Sequence, residues 1–323
     1  MIRTFVDADL RTAVAAAVRA PSLHNSQPWR FRLRDGAIEV RVDSSRPVPS
    51  TGPGIAADWA VNIACGAATF NMRLALAVRG TPARVRLRPY PEEPDVIASL
   101  TPGTPRPAAP AEQILFAVIP RRHSNRLPFW PDPVTGHSRW RLTEAAQAEG
   151  AWLELVTGTA AVEALGQLAH SANRTLSRDP QYRADIARWT RQEQAPDGVP
   201  AFAGGPIAEP QDLLPQRPFG ELPRAPGRDF EPEPLLGVLG TPGDTVFDQI
   251  TAGQALQRVL LTGTEAGLAA SMLSQPIEVP TVREQLRQAI RRAGSPQMVL
   301  RIGFGQPGWP TPRRDVDDVI DAP

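Results

Sequence analysis

The chain has 323 residues, 35 Lys plus Arg against 34 Asp plus Glu, a mean hydropathy of −0.25 and a single cysteine, Cys65. That length suits two packed domains, and the near-zero net charge offers no basic face for a nucleic-acid partner. One cysteine excludes an internal disulfide or a thiolate metal cluster, and no metal site is expected.

The sequence contains no lysine. Schiff-base chemistry needs a lysine amine, and a Walker-type loop needs Gly-Lys-Ser/Thr, so both are excluded. An anion held here must be held by arginine or by backbone. No window reaches the run of about 18 apolar residues expected of a membrane span. The N-terminus MIRTFVDADL lacks an apolar core of signal-peptide length. The expectation is a cytoplasmic protein with no membrane partner.

In chain order, Asp7 caps a helix carrying Leu10, Val14 and Val18, and Pro21 stops it. Trp29, Phe31 and Leu33 alternate with arginines, Arg34-Asp35-Gly36 turns the chain, and Ile38, Val40 and Val42 alternate again. This predicts a β-hairpin. Residues 56–78 are apolar nearly all round, as in a helix buried on most of its surface, and a strand follows at Ala83–Arg88. Residues 89–111 are proline-rich and read as a connection.

Further on, a strand is predicted at Trp152–Val156 and helices at Ala160–Leu176 and Gln181–Arg191. Residues 196–234 hold ten prolines without periodicity, as in a functional lid or a disordered stretch. A strand at Leu235–Leu239, helices at Thr245–Met272 and Val282–Ala293, and a strand at Met298–Phe304 complete the chain. Gly66 and Gly80 are spaced like Gly253 and Gly267, and ACGAATFNMRLALAVRG aligns with TAGQALQRVLLTGTEAG. The alignment points to duplicated halves, although two small-residue helices could share only a packing style.

Three segments carry chemistry. In RAPSLHNSQPWRF, Arg19–Phe31, two prolines stiffen a turn dense in donors and acceptors: Ser22, His24, Asn25, Ser26 and Gln27. Such a turn can meet the edge of a polar heterocycle or satisfy itself. In PRRHSNRLPF, Pro120–Phe129, three arginines in six residues suit a phosphate or form a solvated basic turn. Arg313-Arg314 lies beyond Gly303-Phe304-Gly305 and a proline-rich turn, and is weak evidence alone.

RAPSLHNSQPW resembles the flavin-ring segment of the nitroreductase superfamily, and RRHSNR is similar to that superfamily's phosphate segment. The reversed order of the two segments, with GQALQRVLLTGTEAGLAASMLSQPIEVP and PQMVLRIGFG, resembles the Acg-type branch and covers most of the chain outside residues 196–234. The resemblance implies an α+β nitroreductase-like fold in which residues 1–110 and 111–323 form a single-chain pseudo-dimer. It implies an FMN bound by Pro21, Ser22, Leu23, His24, Asn25, Gln27, Arg121, Arg122, His123, Ser124, Arg126, Arg313 and Arg314. One composite site follows, so a monomer suffices and dimerisation is not required.

The function so implied is an NAD(P)H-dependent flavin oxidoreductase with a small aromatic or nitro acceptor and no catalytic side chain assigned. His24 is read first as structural and second as a proton donor. The alternative is an FMN-sequestering protein whose segment 196–234 forms a lid that blocks turnover. A flavin dehydrogenase acting on peptide azoline rings ranks lower, because no peptide-recognition region is evident.

Overall fold

The computed structural model describes residues 4–47, 58–192, 195–207, 209, 211–220, 223–224, 229–231 and 233–321. Its first part runs α1 (Asp7–Ala17), β1 (Trp29–Arg34), β2 (Ala37–Val42), α2 (Trp59–Val78), β3 (Ala83–Leu87), β4 (Val96–Pro102) and α3 (Pro110–Val118). The second runs α4 (Gly136–Gln147), β5 (Trp152–Val156), α5 (Thr159–Arg178), α6 (Pro180–Trp189), β6 (Thr190–Arg191) and β7 (Val199–Pro200). It continues with β8 (Leu235–Thr241), α7 (Val246–Glu265), β9 (Ala269–Leu273), α8 (Gln275–Glu278), α9 (Pro280–Ile290), β10 (Ser295–Gly303) and α10 (Val316–Val319).

The predicted hairpin is present. Phe31 pairs with Val40 and Arg34 with Ala37, so Trp29, Phe31, Ile38 and Val40 all reach the core. Asp35 at φ 51° and Gly36 at φ 73° form the turn, the two positive dihedrals a tight hairpin of this hand requires.

Two four-stranded antiparallel sheets share one topology. Their orders are β1-β2-β4-β3 and β5-β8-β10-β9. In each, the second and third strands in sequence are joined across a long helix, α2 in one case and α7 in the other.

These two helices pack against each other at the middle of the molecule. A Cβ built on Gly66 would stand 2.2 Å from the Ile250 carbonyl oxygen, and one built on Gly253 would stand 2.2 Å from that of Ile63. Asn62 Nδ2 donates to Gln249 Oε1 at 2.8 Å, at the same offset of 187 positions. Every one of these contacts maps onto its counterpart when the halves are exchanged. The cores interlock as well: Trp59 and Ile63 of α2 join the apolar cluster of the second sheet, and Ile250 of α7 joins that of the first. Replacing Gly66 by Ala should therefore destabilise the fold despite alanine's better helix propensity. The new methyl meets backbone, which cannot rotate away, so the loss belongs at the upper end of the ~1–3 kcal/mol typical of overpacking. Thermal unfolding of G66A checks this, and an unchanged or raised Tm would contradict it.

Several elements differ from the sequence reading. The connection at 89–111 contains β4, which pairs with both β2 and β3. Val96 to Leu100 are all buried, so no alternation marks the strand. The helix expected through Met272 ends at Glu265; Gly267 at φ 75° breaks it and β9 follows. α3 and α4 were not anticipated. α2 is long and apolar enough to cross a membrane, contrary to the sequence expectation, but its apolar window is 89% buried inside the protein.

The chain finally returns to its beginning. Ile320 bridges to Phe31, the Asp321 amide donates to the Phe31 carbonyl at 2.7 Å, and Val319 is buried in the first core.

Candidate functional site

A cleft with about 760 Å³ of atom-free space, open to solvent, lies between the halves. The turn after α1 forms one wall with Pro21, Ser22, Leu23 and His24. Trp59 and Ile63 of α2 and Leu256 of α7 form the floor, and Ser271–Gln275 along and just beyond β9 form the opposite wall. Ser124 and Arg126 line it too, held there because Ser124 bridges to Ala270 and the Asn125 amide donates to the Ala270 carbonyl at 2.9 Å.

The turn itself is tightly wound. His24, Asn25 and Gln27 have φ of 56°, 55° and 51°, and the Gln27 amide donates to Ser22 Oγ at 2.9 Å. Left-handed backbone is uncommon outside glycine and is held here by surrounding contacts. These contacts occupy the side chains of Asn25 and Gln27. Asn25 Nδ2 donates to the carbonyls of Gly198 at 2.9 Å and Pro312 at 3.0 Å. Gln27 Nε2 donates to the Pro196 carbonyl at 2.8 Å, and its Oε1 accepts from the Arg314 amide at 2.9 Å. Both residues tie the proline-rich segment and the C-terminal tail to the turn, and neither lines the cleft.

Beside Pro21 stands a group of cations. Arg122 is buried, and its Nη2 donates to the Arg19 carbonyl at 3.2 Å. Arg313 donates to the Thr311 hydroxyl and to carbonyls of Thr311, Pro312 and Ala20. Among the described residues, Arg122 Nε and Arg313 Nε are buried without a hydrogen-bond partner, and neither guanidinium pairs with a carboxylate.

Burial pushes the Arg122 guanidinium down to about 10. Burial, then the charges of Arg122 and Arg19, push Arg313 down to about 9. His123, half-buried, is pushed down to about 4 by burial and by Arg122, Arg313 and Arg19. Arg126 is lowered to about 10 by burial and then by Arg217. At neutral pH the arginines remain charged and His123 is neutral. Burial of cations without a counter-charge is unfavourable.

Arg121 and Arg314 stand outside this group. Arg121 is exposed. Arg314 Nη1 pairs with Asp43 at 3.0 Å, which fastens the C-terminal tail to the first half.

The proline-rich segment lines part of the cleft through Pro215, Gln216, Arg217 and Phe219. It is anchored on α5 and α6, where Val199, Ala203 and Phe219 share a core with Ala172, Leu176, Tyr182 and Ile186. Among the described residues no group of three or more His, Cys, Asp or Glu could hold a metal.

A protein of Mycobacterium tuberculosis provisionally named an NAD(P)H nitroreductase is 32% identical over 330 aligned residues, covering 99% of this chain and 93% of the relative. The chain belongs to the nitroreductase family. A second Mycobacterium tuberculosis protein, provisionally named NAD(P)H nitroreductase acg, is 29% identical, with 98% of this chain and 97% of the relative covered. No family profile matches the chain. Among solved structures, a nitroreductase of Desulfitobacterium hafniense with bound FMN covers 65% of this chain and 98% of its own, at 14% identity and a TM-score of 0.43.

Of the residues named from sequence, Pro21, Ser22, Leu23, His24, Ser124 and Arg126 line one cleft, with Arg122, His123 and Arg313 beside it. Sequence reasoning did not select Arg19, although it opens the quoted segment. It also missed Trp59, Arg217 and Ser271–Gln275, which the two sheets and the long proline-rich segment bring to the cleft.

Proposed function

We propose that the cleft holds one FMN and that the protein is an NAD(P)H-dependent flavin oxidoreductase acting on small aromatic or nitro acceptors. The observation that carries this is the set of Arg122, Arg313, Arg19 and His123 beside the cleft with no carboxylate among them. A phosphomonoester brings about −1.5 to −2 charge and three acceptor oxygens, and arginine meets these with charge-assisted bonds. The orphaned Nε atoms of Arg122 and Arg313 and the buried, unpartnered Nδ1 of His24 are donors such a ligand would satisfy.

When bound, the flavin would supply hydride transfer between NAD(P)H and the acceptor. The chain's own part is positioning. Pro21–His24 and the Ser271–Gln275 wall would hold the ring, and the cations would hold the phosphate. Pro215–Phe219 would limit entry of water. No side chain is assigned as a catalytic acid or base.

We infer further that residues 1–110 and 111–323 stand in for two subunits. The shared sheet order and the exchanged core residues of α2 and α7 support this. One half would supply Pro21–His24 and the other Ser124, Arg126 and Arg313, giving one site per chain.

The rival reading, an FMN-sequestering protein with a lid, is favoured by one contact: Arg217 ties the proline-rich segment into the cleft wall. Addition of NAD(P)H to the FMN-loaded protein without oxygen separates the two. Bleaching of the yellow colour is expected. FMN bound but unbleached by either nicotinamide would replace the oxidoreductase with the sequestering protein. A protein that stays colourless after incubation with FMN would end both.

A further inference from the structure

Of the residues that bring the proline-rich segment to the cleft, Arg217 is the buried charged one. Arg217 Nη1 lies 3.0 Å from His24 Nε2 and donates to the Tyr182 hydroxyl at 3.1 Å. Its Nη2 donates to Ser274 Oγ at 2.8 Å and to the Glu278 carboxylate. A guanidinium only donates hydrogen bonds and keeps its charge in proteins. At His24 Nε2 it therefore requires a lone pair. An imidazole that accepts at Nε2 carries its proton on Nδ1 and is neutral. A doubly protonated His24 would set donor against donor and cation against cation.

The other groups facing His24 point the same way. Arg126 adds a second cation, while the Glu278 carboxylate pairs with Arg217. The Phe219 ring stands edge-on at 5.4 Å and 71°. Burial, then Arg217 and Arg126, hold the imidazole well below its usual range. His24 Nδ1 is buried with no hydrogen-bond partner among the described residues.

We propose that Arg217 is a positioning residue. From the proline-rich segment it fixes His24 as the neutral Nδ1–H tautomer. That leaves the N–H as the donor for an acceptor atom of the cleft's ligand, and it makes this wall depend on the docking of the segment. The identity of the acceptor as flavin rests on the function proposed above. The tautomer does not.

The test is nitrogen NMR of the full chain, labelled at histidine and free of flavin. The chain has four histidines, and the signals of His24 are assigned by their loss in H24Q. The wild-type protein should show His24 as Nδ1–H, titrating only well below the usual histidine range. R217M/E278Q removes both charges of the buried pair together, so neither is left alone in the interior. In that variant His24 should lose the pure Nδ1–H signature and titrate at higher pH than in the wild type.

A wild-type His24 found as Nε2–H or as a cation at neutral pH would overturn the proposal. So would an unchanged Nδ1–H signature in R217M/E278Q. The wild-type spectrum decides the tautomer even if the variant fails to fold. A protein with His24 as Nδ1–H that takes up no FMN would overturn the flavin reading and leave the tautomer standing.

Discussion

R122M/R313M should bind FMN at least about a hundredfold more weakly than the parent and yet, free of FMN, melt at a higher temperature. Each arginine would give the phosphate a charge-assisted contact worth roughly 1.5–3 kcal/mol, or about ten- to a hundredfold in affinity. The stability change has the opposite sign because the cations are desolvated without a counter-charge. Both guanidinium pKa values are lowered in the folded chain, Arg122 to about 10 and Arg313 to about 9.

A base whose folded pKa is lowered destabilises the fold wherever both states are protonated. The penalty is therefore fully present at neutral pH and is relieved only as pH rises through about 9 and above. Methionine keeps the aliphatic bulk and removes the charge. Backbone hydrogen bonds lost by each guanidinium offset part of the gain, leaving about 1 kcal/mol per site, a few degrees in Tm. Melting curves with and without FMN check both parts. The parent should gain stability on FMN addition and the variant should not. A variant that melts lower than the parent and retains FMN would show these arginines to be structural.

Glu231→Ala should cost about 3–5 kcal/mol of stability. The Arg301 side chain is 2% exposed in the middle of β10, and Glu231 meets it with both carboxylate oxygens. Arg301 also lies 3.8 Å over the Phe129 ring, and Glu231 accepts the Phe129 amide at 2.9 Å. Removing the carboxylate leaves a buried cation and a buried amide unpaired.

This contact also makes residues 196–234 a poor candidate for exchange with a short flexible linker. Such an exchange would delete Glu231 and strip Val199, Ala203 and Phe219 from the core on α5 and α6. Urea unfolding of E231A measures the effect. A loss below about 1 kcal/mol would show that the pair contributes little and that the segment is a detachable strap.

Local periodicity and turn chemistry carried much of the fold. Asp35-Gly36 and its flanking alternation marked the hairpin, and the all-round apolar face marked α2. β4 escaped because Val96 to Leu100 are buried on both faces and alternate with nothing. β9 escaped because Ala269–Leu273 continues a helical apolar run past Gly267.

At the site, residues close in sequence were legible: Pro21–His24 form one turn, and Arg122–Arg126 form a short stretch bridged to Ala270 at Ser124. Asn25 and Gln27 belong to the same turn, but its left-handed backbone directs their side chains to residues 196–198 and 312–314. Arg217 carried no signal. It sits in a stretch without periodicity, and its partners Tyr182, Ser274 and Glu278 are set by tertiary packing alone.

The most direct test of a single phosphate-anchored flavin site is a calorimetric titration of the FMN-free chain with FMN and, separately, with riboflavin, which lacks the phosphate. One FMN should bind per chain. Riboflavin should bind at least about a hundredfold more weakly, and the gap should close in R122M/R313M. Equal affinity for the two flavins, two FMN per chain, or no FMN uptake would contradict the account.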